Sequence, residues 1–216
     1  WIEYQNKKNI KYFLIKETSQ TSNYFNFIKD PFVRNQVKFI CIVRNPLDNF
    51  SALYEGLDSY YKKIGEDFET LLASFLLKSR IDLQGAKILN NTYPNNFISI
   101  RFEDIILKSR QTMEKLCKFI GLSYEQSLLN PTLGGKAKYV GNNHDGYNFN
   151  GLGRKNINNW ENRIDKNLSS IIELYMSDLM EFYGYKLTIK ENIRIKNSSK
   201  LISAVNSKIF FKDAFK

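Results

Sequence analysis

The sequence predicts an α/β protein of three layers, in which helices cover both faces of a mainly parallel sheet. Two observations carry this prediction. Short apolar segments typical of buried strands alternate along the chain with longer segments in which apolar residues recur at helical spacing. The chain has 216 residues, of which 43% are hydrophobic, and this is enough to bury a sizeable core in one domain.

The most informative element is a strand over residues 39–43 that leads directly into a helix. Its apolar residues are rich in β-branched types, which is typical of a strand covered on both faces. Asn45 is a favourable N-cap, and Pro46 suits the first helical position because its missing N–H needs no partner there. A helix over residues 46–63 is therefore predicted, with Asp48 in its first turn, where a negative charge is favoured.

The remaining elements are predicted from apolar spacing and from residues that end helices. Pro31 ends one helix, and Gly121 ends another. Ser170 and Glu173 are interpreted as a capping box of the last helix, whose apolar residues form one stripe. The elements are strands over residues 11–16 and 97–102, and helices over residues 21–30, 67–90, 113–120 and 168–183.

Two stretches fall outside this alternation. Residues 131–159 are rich in Gly and Asn, and a loop of this length in a compact domain is usually functional or disordered. From residue 190 onward the chain is basic, with apolar residues spaced as in an amphipathic helix. That helix is expected to pack on the domain, with membrane contact as the alternative. We expect one domain over residues 1–187 and a basic tail over residues 188–216.

Charge and sheet topology together point to an anion site. The net charge of +10 favours a nucleotide, a nucleic acid, an acidic glycan or a membrane surface as partner. Ligands of parallel sheets bind at the carboxyl ends of the strands, where Lys16 and Arg44 are both expected. Arg44 also precedes a helix N-terminus, whose free N–H groups favour a phosphate. The alternative is that Arg44 pairs with a carboxylate at the end of its strand.

The cysteines and the apolar runs bear on cellular location. Cys41 and Cys117 are interpreted as buried free thiols, so nothing demands an oxidising compartment. No apolar run approaches the ~18 residues of a membrane span, and no signal peptide is visible. A cytoplasmic location is therefore expected. The chain starts at Trp1 rather than at methionine, so we expect its natural N-terminus to lie upstream.

Three separated segments, in this order, resemble the sulfotransferase superfamily and its bacterial-type members in particular. The first resembles the family's strand–Arg–Asn–Pro–helix element, and the second its Arg-Tyr-Glu-Asp-Leu strand end and Phe-Leu-Gly helix end. The third resembles the loop, tryptophan helix and terminal Gly-Tyr of bacterial-type members. These segments are residues 39–48, residues 100–104 with 116–122, and residues 131–136, 141–143 and 153–155 with Trp160 and Gly184-Tyr185.

The resemblance implies a P-loop NTPase-like fold and a PAPS-dependent enzyme. Such enzymes move a sulfuryl group from 3′-phosphoadenosine-5′-phosphosulfate (PAPS) to a hydroxyl or amine acceptor, here by analogy a carbohydrate. No metal and no nucleic-acid partner is implied. The family grips the 5′-phosphosulfate with a Gly-containing loop after its first strand, and no such loop precedes Lys16. The chain is therefore expected to be a fragment that lacks this loop and binds the donor poorly.

The resemblance also implies roles for individual residues in donor binding. Arg44 matches the arginine that binds the 3′-phosphate of the donor. Ser51 lies one residue before the family's usual phosphate-binding serine position, which is Ala52 here. Phe102 takes the place of a tyrosine that contacts adenine, and a core role is its alternative.

Further roles concern the loop and the chemical step. Arg154 and Lys155 match the pair that folds over the 3′-phosphate, with a solvated basic loop as the alternative. Lys16 matches the lysine that stabilises charge on the departing phosphate oxygen. Glu17 is the candidate base, although neighbours in a strand point to opposite faces, so a base upstream of the chain is the alternative. The single histidine, His144, lies outside the family's catalytic position.

Two other functions stay open from the sequence alone. A basic module that binds nucleic acid or acidic glycans is permitted by the charge, although no RNA-recognition signature is visible. A P-loop-type small-molecule kinase would need a Gly-x-x-x-x-Gly-Lys-Ser/Thr loop, which the sequence does not contain.

Overall fold

The chain begins its described structure with two short helices. A computed structural model describes residues 14–15, 24–54, 68–130, 139–140, 148–149, 153–154 and 157–189. Helix α1 (Tyr24–Lys29) ends as predicted, but a second helix that the sequence analysis missed, α2 (Pro31–Gln36), follows it. Pro31 begins this helix, and the Asp30 carboxylate caps it by accepting the Phe32 N–H at 2.8 Å. The predicted strand over residues 11–16 is described only at Leu14 and Ile15, which lie in no strand.

A parallel pair of strands forms the sheet that positions the site. Strand β1 (Phe39–Val43) pairs with β2 (Phe97–Arg101) in parallel, in a register that joins Phe39 to Phe97 and Val43 to Arg101. The connection between them contains helix α3, described over residues 46–54, and the long helix α4 (Phe68–Thr92). The predicted α/β class with a parallel sheet is confirmed.

Strand β1 is covered on one face rather than on both. Phe39 and Cys41 pack against the core and Val43 is buried, whereas Ile40 and Ile42 are 38% and 59% exposed. Successive side chains of a strand point to opposite faces, and the face of β1 that carries Phe39, Cys41 and Val43 is the one that meets the core. The expectation of a doubly covered strand is therefore wrong for β1.

The elements after β2 lead through the loop region to the last helix. Helices α5 (Phe102–Leu107) and α6 (Ser109–Ile120) come first, and Gly121 ends α6 as predicted, with a φ of 77° that favours glycine. Short strands β3 (Tyr139–Val140) and β4 (Asn148–Phe149) pair antiparallel inside the predicted loop. A 3₁₀ turn (Asn159–Asn162) precedes helix α7 (Lys166–Phe182), and another 3₁₀ turn (Gln126–Leu129) follows α6.

Helix α7 starts earlier than the capping-box interpretation requires. Its N-cap is Asp165, whose carboxylate accepts the Leu168 N–H at 2.8 Å. Glu173 lies two turns inside the helix, fully buried, and accepts the N–H groups of Thr188 at 2.9 Å and Ile189 at 3.0 Å. The capping-box interpretation is therefore wrong, and Glu173 instead fixes the chain that follows the helix.

The main core lies between β1, α3, α4 and α7. Its fully buried members include Leu47 and Phe50 of α3, Leu76 of α4 and Met176 of α7. Both cysteines are free thiols as predicted, Cys117 buried and Cys41 partly buried. None of the described helices is long and apolar enough to cross a membrane. The predicted tail helix lies outside the described residues.

Candidate functional site

The carboxyl ends of β1 and β2 bring Arg44 and Phe102 together. Because Val43 pairs with Arg101 in parallel, the residue after each strand leaves the sheet at the same edge. The guanidinium carbon of Arg44 lies 5.0 Å from the centre of the Phe102 ring, which is a cation–π distance. Two residues selected from separate parts of the sequence are thus neighbours at the start of helix α3.

The N-terminus of α3 is fixed beside Arg44 by its own cap. Asn45 is buried, and its side-chain oxygen accepts the Leu47 N–H at 3.0 Å, so the predicted N-cap is confirmed. Pro46 occupies the first helical position. The start of a helix carries partial positive charge, which adds to the full charge of Arg44. The local field therefore favours an anion here.

A buried carboxylate, Glu103, joins three segments at this edge of the sheet. It is 3% exposed; its Oε1 accepts the Asn45 N–H at 2.9 Å and its Oε2 accepts the Tyr185 hydroxyl at 3.0 Å. The segment that starts α3, the end of β2 and the Gly-Tyr pair after α7 thus meet at one side chain. The sequence analysis included Glu103 in a motif but assigned it no role.

A second buried carboxylate, Asp48, holds the segment before α7. Asp48 is 1% exposed; its Oδ2 accepts the Asn158 N–H at 2.7 Å and its Oδ1 accepts the Trp160 N–H at 3.1 Å. Its position in the first turn of α3 was predicted, but these two contacts were not. They place the chain that follows Arg154 against the start of the helix.

The potential at Arg44 reflects groups of both signs. Burial lowers the pKa of Arg44, whereas the Asp48 and Glu103 carboxylates act to raise it and Arg163 acts to lower it. These carboxylates therefore act on Arg44 as an electrostatic influence. Arg163, partly buried, is a second cation near Arg44 that the sequence analysis missed. In the sequence, the one feature that could have pointed to Arg163 is its position three residues after Trp160.

The other selected residues are distributed as follows. Ser51 is buried in α3, and its hydroxyl donates to the Asp48 backbone carbonyl at 3.1 Å. Arg154 is exposed, and its carbonyl accepts the Ile157 N–H at 3.1 Å. Lys16, Glu17 and Lys155 lie outside the described residues.

The terminal Gly-Tyr pair docks on the end of β2. Arg101 donates to the Gly184 carbonyl at 3.1 Å, and its guanidinium lies 4.5 Å from the centre of the Tyr185 ring. Gly184 has a φ of 73°, and a Cβ there would lie 3.4 Å from Arg101 Nη1. Gly184 and Tyr185 therefore pack against the end of β2, next to Glu103.

Tyr185 should make folding stability depend on pH in alkaline solution. Burial, followed by the nearby Glu103 carboxylate, raises the pKa of Tyr185 well above its usual 10.0. Above about pH 10 the unfolded chain loses this proton while the folded chain keeps it, so the free energy of unfolding falls as pH rises. The slope for one group is at most about 1.4 kcal/mol per pH unit.

Urea unfolding at several alkaline pH values measures this dependence. The Tyr185→Phe variant should lose stability less steeply than the unsubstituted protein as pH rises above about 10. Equal slopes for the two proteins would show that Tyr185 ionises at its ordinary pKa.

The assembled groups can bind a phosphate next to a flat apolar group. Arg44 and the helix N-terminus supply positive charge, and the Phe102 ring supplies a face on which a nucleobase can stack. This donor set fits a nucleotide. Across the described ranges, no three His, Cys, Asp or Glu side chains lie together as a metal ion would require.

Comparison with known proteins adds a family. A sequence profile described as "Sulfotransferase family" matches residues 2–126, more than half of the chain. No curated protein matches the chain significantly. Among solved structures, a sulfotransferase domain from the curacin biosynthetic pathway is similar, with a TM-score of 0.39 and 17% identity. The match covers 95% of this chain and 66% of that domain, so the chain spans less than two thirds of that domain's length.

Proposed function

Because the chain belongs to the sulfotransferase family, we propose that it binds PAPS and takes part in transferring the sulfuryl group to a hydroxyl or amine acceptor. The observation that carries the proposal is the Arg44–Phe102 pair at the start of helix α3. A guanidinium at a helix N-terminus suits a phosphate, and the adjacent ring suits an adenine. The nucleotide end of PAPS carries both groups.

Arg44 is proposed to hold the 3′-phosphate. Its planar guanidinium can donate two parallel hydrogen bonds to phosphate oxygens, and the N–H groups at the start of α3 add to the attraction. Glu103 accepts the N–H of Asn45, the residue after Arg44, and so fixes the backbone there. Asp48 holds the segment before α7 against the same helix start by accepting two of its backbone N–H groups. Phe102 is proposed to stack on the adenine.

The segment before α7 is proposed to close over the same phosphate. Arg154 is exposed, and its backbone carbonyl accepts the N–H of Ile157, three residues later. Lys155 follows it in sequence, and Arg163 lies close enough to Arg44 to lower its pKa. Ser51 is a weaker candidate for the phosphate, because its hydroxyl proton is directed to the Asp48 carbonyl.

The chemical step is proposed to use Lys16 and Glu17. When bound, PAPS supplies a sulfuryl group that can pass to an acceptor oxygen or nitrogen. Lys16 would stabilise charge on the phosphate oxygen that leaves, since an ammonium there favours the transition state over the ground state. Glu17 would take the proton from the acceptor. A carbohydrate is the proposed acceptor, by analogy with bacterial-type members.

Thermal unfolding with three anionic ligands tests the proposed donor. Adenosine 3′,5′-bisphosphate (PAP) should stabilise the protein, whereas ATP and poly-U should not. A ligand at about 100 times its dissociation constant adds about 2.7 kcal/mol, which for a chain of this size raises the melting temperature by roughly 5–10 °C. Because weak binding is expected, PAP is used at millimolar concentration. Stabilisation by ATP alone would favour a kinase, and stabilisation by poly-U alone would favour a nucleic-acid-binding module.

A further inference from the structure

We propose that Asp48 is a positioning residue, which holds the segment over residues 157–163 against the start of helix α3 so that Arg163 reaches the bound anion. The inference rests on the proposed function. Asp48 is 1% exposed, and each of its two carboxylate oxygens accepts one backbone N–H, from Asn158 and from Trp160. A buried carboxylate with both oxygens bound fixes its partners in position as well as in orientation.

The backbone that Asp48 binds adopts an unusual conformation. Asn158 has a φ of 56°, and it is the one described residue other than glycine with a positive φ. Asn tolerates this left-handed conformation better than most residues, and contacts around it fix the chain in it. The 2.7 Å bond from its N–H to Asp48 is a contact of this kind. Asp48 therefore helps to hold the turn at Asn158.

The same anchor sets the position of Arg163. The 3₁₀ turn Asn159–Asn162 starts directly after Asn158, and the Arg163 N–H donates to the Trp160 carbonyl at 2.9 Å. Only a short, hydrogen-bonded stretch thus separates the Asp48 contact from Arg163. Arg163 in turn contributes positive potential at Arg44. Two like charges held near each other favour an anion that both can bind.

Glu173 provides a matched control for an Asp48 substitution. It is also a fully buried carboxylate on a helix, and it also accepts two backbone N–H groups, those of Thr188 and Ile189. Its partners are not the residues around Arg44. Asp48→Asn turns an amide nitrogen toward one of the two N–H donors, which is unfavourable. Glu173→Gln can keep its oxygen on both N–H groups and donate its amide to the Thr188 hydroxyl, so it loses only the charge that strengthens those bonds. Both variants should lower stability, but only the Asp48 variant should affect the anion site.

The experiment uses the full chain in a Trp1→Phe background, so that Trp160 is the remaining tryptophan. Calorimetry gives the dissociation constant for PAP, and acrylamide quenching of Trp160 fluorescence without ligand reports how firmly the segment is held. Asp48→Asn should raise the dissociation constant about tenfold and increase quenching, whereas Glu173→Gln should change neither. Asp48→Glu, which keeps both oxygens on a longer side chain, should bind PAP within about threefold of the parent.

Each outcome decides the proposal. If Asp48→Asn and Glu173→Gln weaken PAP binding equally, or if Asp48→Asn leaves both readouts unchanged, Asp48 has no positioning role. If Asp48→Asn does not fold, Asp48→Glu decides: the proposal holds if PAP affinity and quenching both stay near the parent values or change together, and it is overturned if one of them changes without the other. If the parent binds no PAP, the proposed function is wrong, and Trp160 quenching alone then decides whether Asp48 holds the segment.

Discussion

Replacing Arg44 with alanine should weaken PAP binding by about 1.5–3 kcal/mol, or roughly 10- to 150-fold, because a charged hydrogen bond to the 3′-phosphate is lost. The size of the effect follows from the place of Arg44. It is partly buried at a helix N-terminus, so water competes less effectively for its donors than at an exposed arginine. Calorimetric titration with PAP measures the loss.

A surface arginine gives the control for the Arg44 variant. Arg110 on α6 is largely exposed and pairs with Glu114 at 2.9 Å, so Arg110→Ala removes the same charge away from the site. It should change PAP affinity less than twofold. Arg44→Lys should fall between the two, since it keeps the charge but loses the two-pronged geometry. Equal losses for Arg44→Ala and Arg110→Ala would mean that net charge alone attracts the nucleotide.

Replacing Glu103 with alanine should cause the largest loss of folding stability among these variants, about 2–6 kcal/mol. The substitution leaves two buried donors, the Asn45 N–H and the Tyr185 hydroxyl, without their acceptor. Each such group costs about 1–3 kcal/mol when it is buried and unsatisfied. Since domains are stable by only about 5–15 kcal/mol, this loss is a large share of the total. Urea unfolding at neutral pH measures it.

Glu114→Ala is the matched control for Glu103. Glu114 makes an exposed ion pair within one helix, and such pairs contribute about 0.3–0.5 kcal/mol. Glu103→Gln should lie between the two, because the amide keeps one acceptor for the Asn45 N–H. If Glu103→Ala is no more destabilising than Glu114→Ala, Glu103 does not join the three segments as described.

Elements that depend on local patterns were predictable from the sequence. The spacing of apolar residues predicted α4, Gly121 was correctly expected to end α6, and Asn45 was correctly identified as a cap. The sequence analysis placed Arg44 at the carboxyl end of a strand but did not predict its contact with Phe102, which the parallel pairing of β1 and β2 brings to the same edge.

Contacts between distant segments were not predictable in the same way. Asp48 binds Asn158 and Trp160, which follow it in the sequence by 110 and 112 positions. Glu103 binds Asn45, which precedes it by 58 positions. In the sequence these carboxylates look like ordinary first-turn acids, because nothing local shows what folds against them. For the same reason Glu173 was interpreted as a capping residue, although its partners lie beyond the end of its helix. The exposure of Ile42 likewise depends on what covers the sheet rather than on β1 itself.

The central claim is that Arg44 binds the 3′-phosphate, and one binding cycle tests it most directly. Dissociation constants are measured for PAP and for adenosine 5′-phosphate, which lacks the 3′-phosphate, with the unsubstituted protein and with Arg44→Ala. Arg44→Ala should weaken PAP binding at least tenfold and adenosine 5′-phosphate binding less than twofold, because the second ligand has no group for Arg44 to hold. Equal weakening of both ligands would contradict the claim.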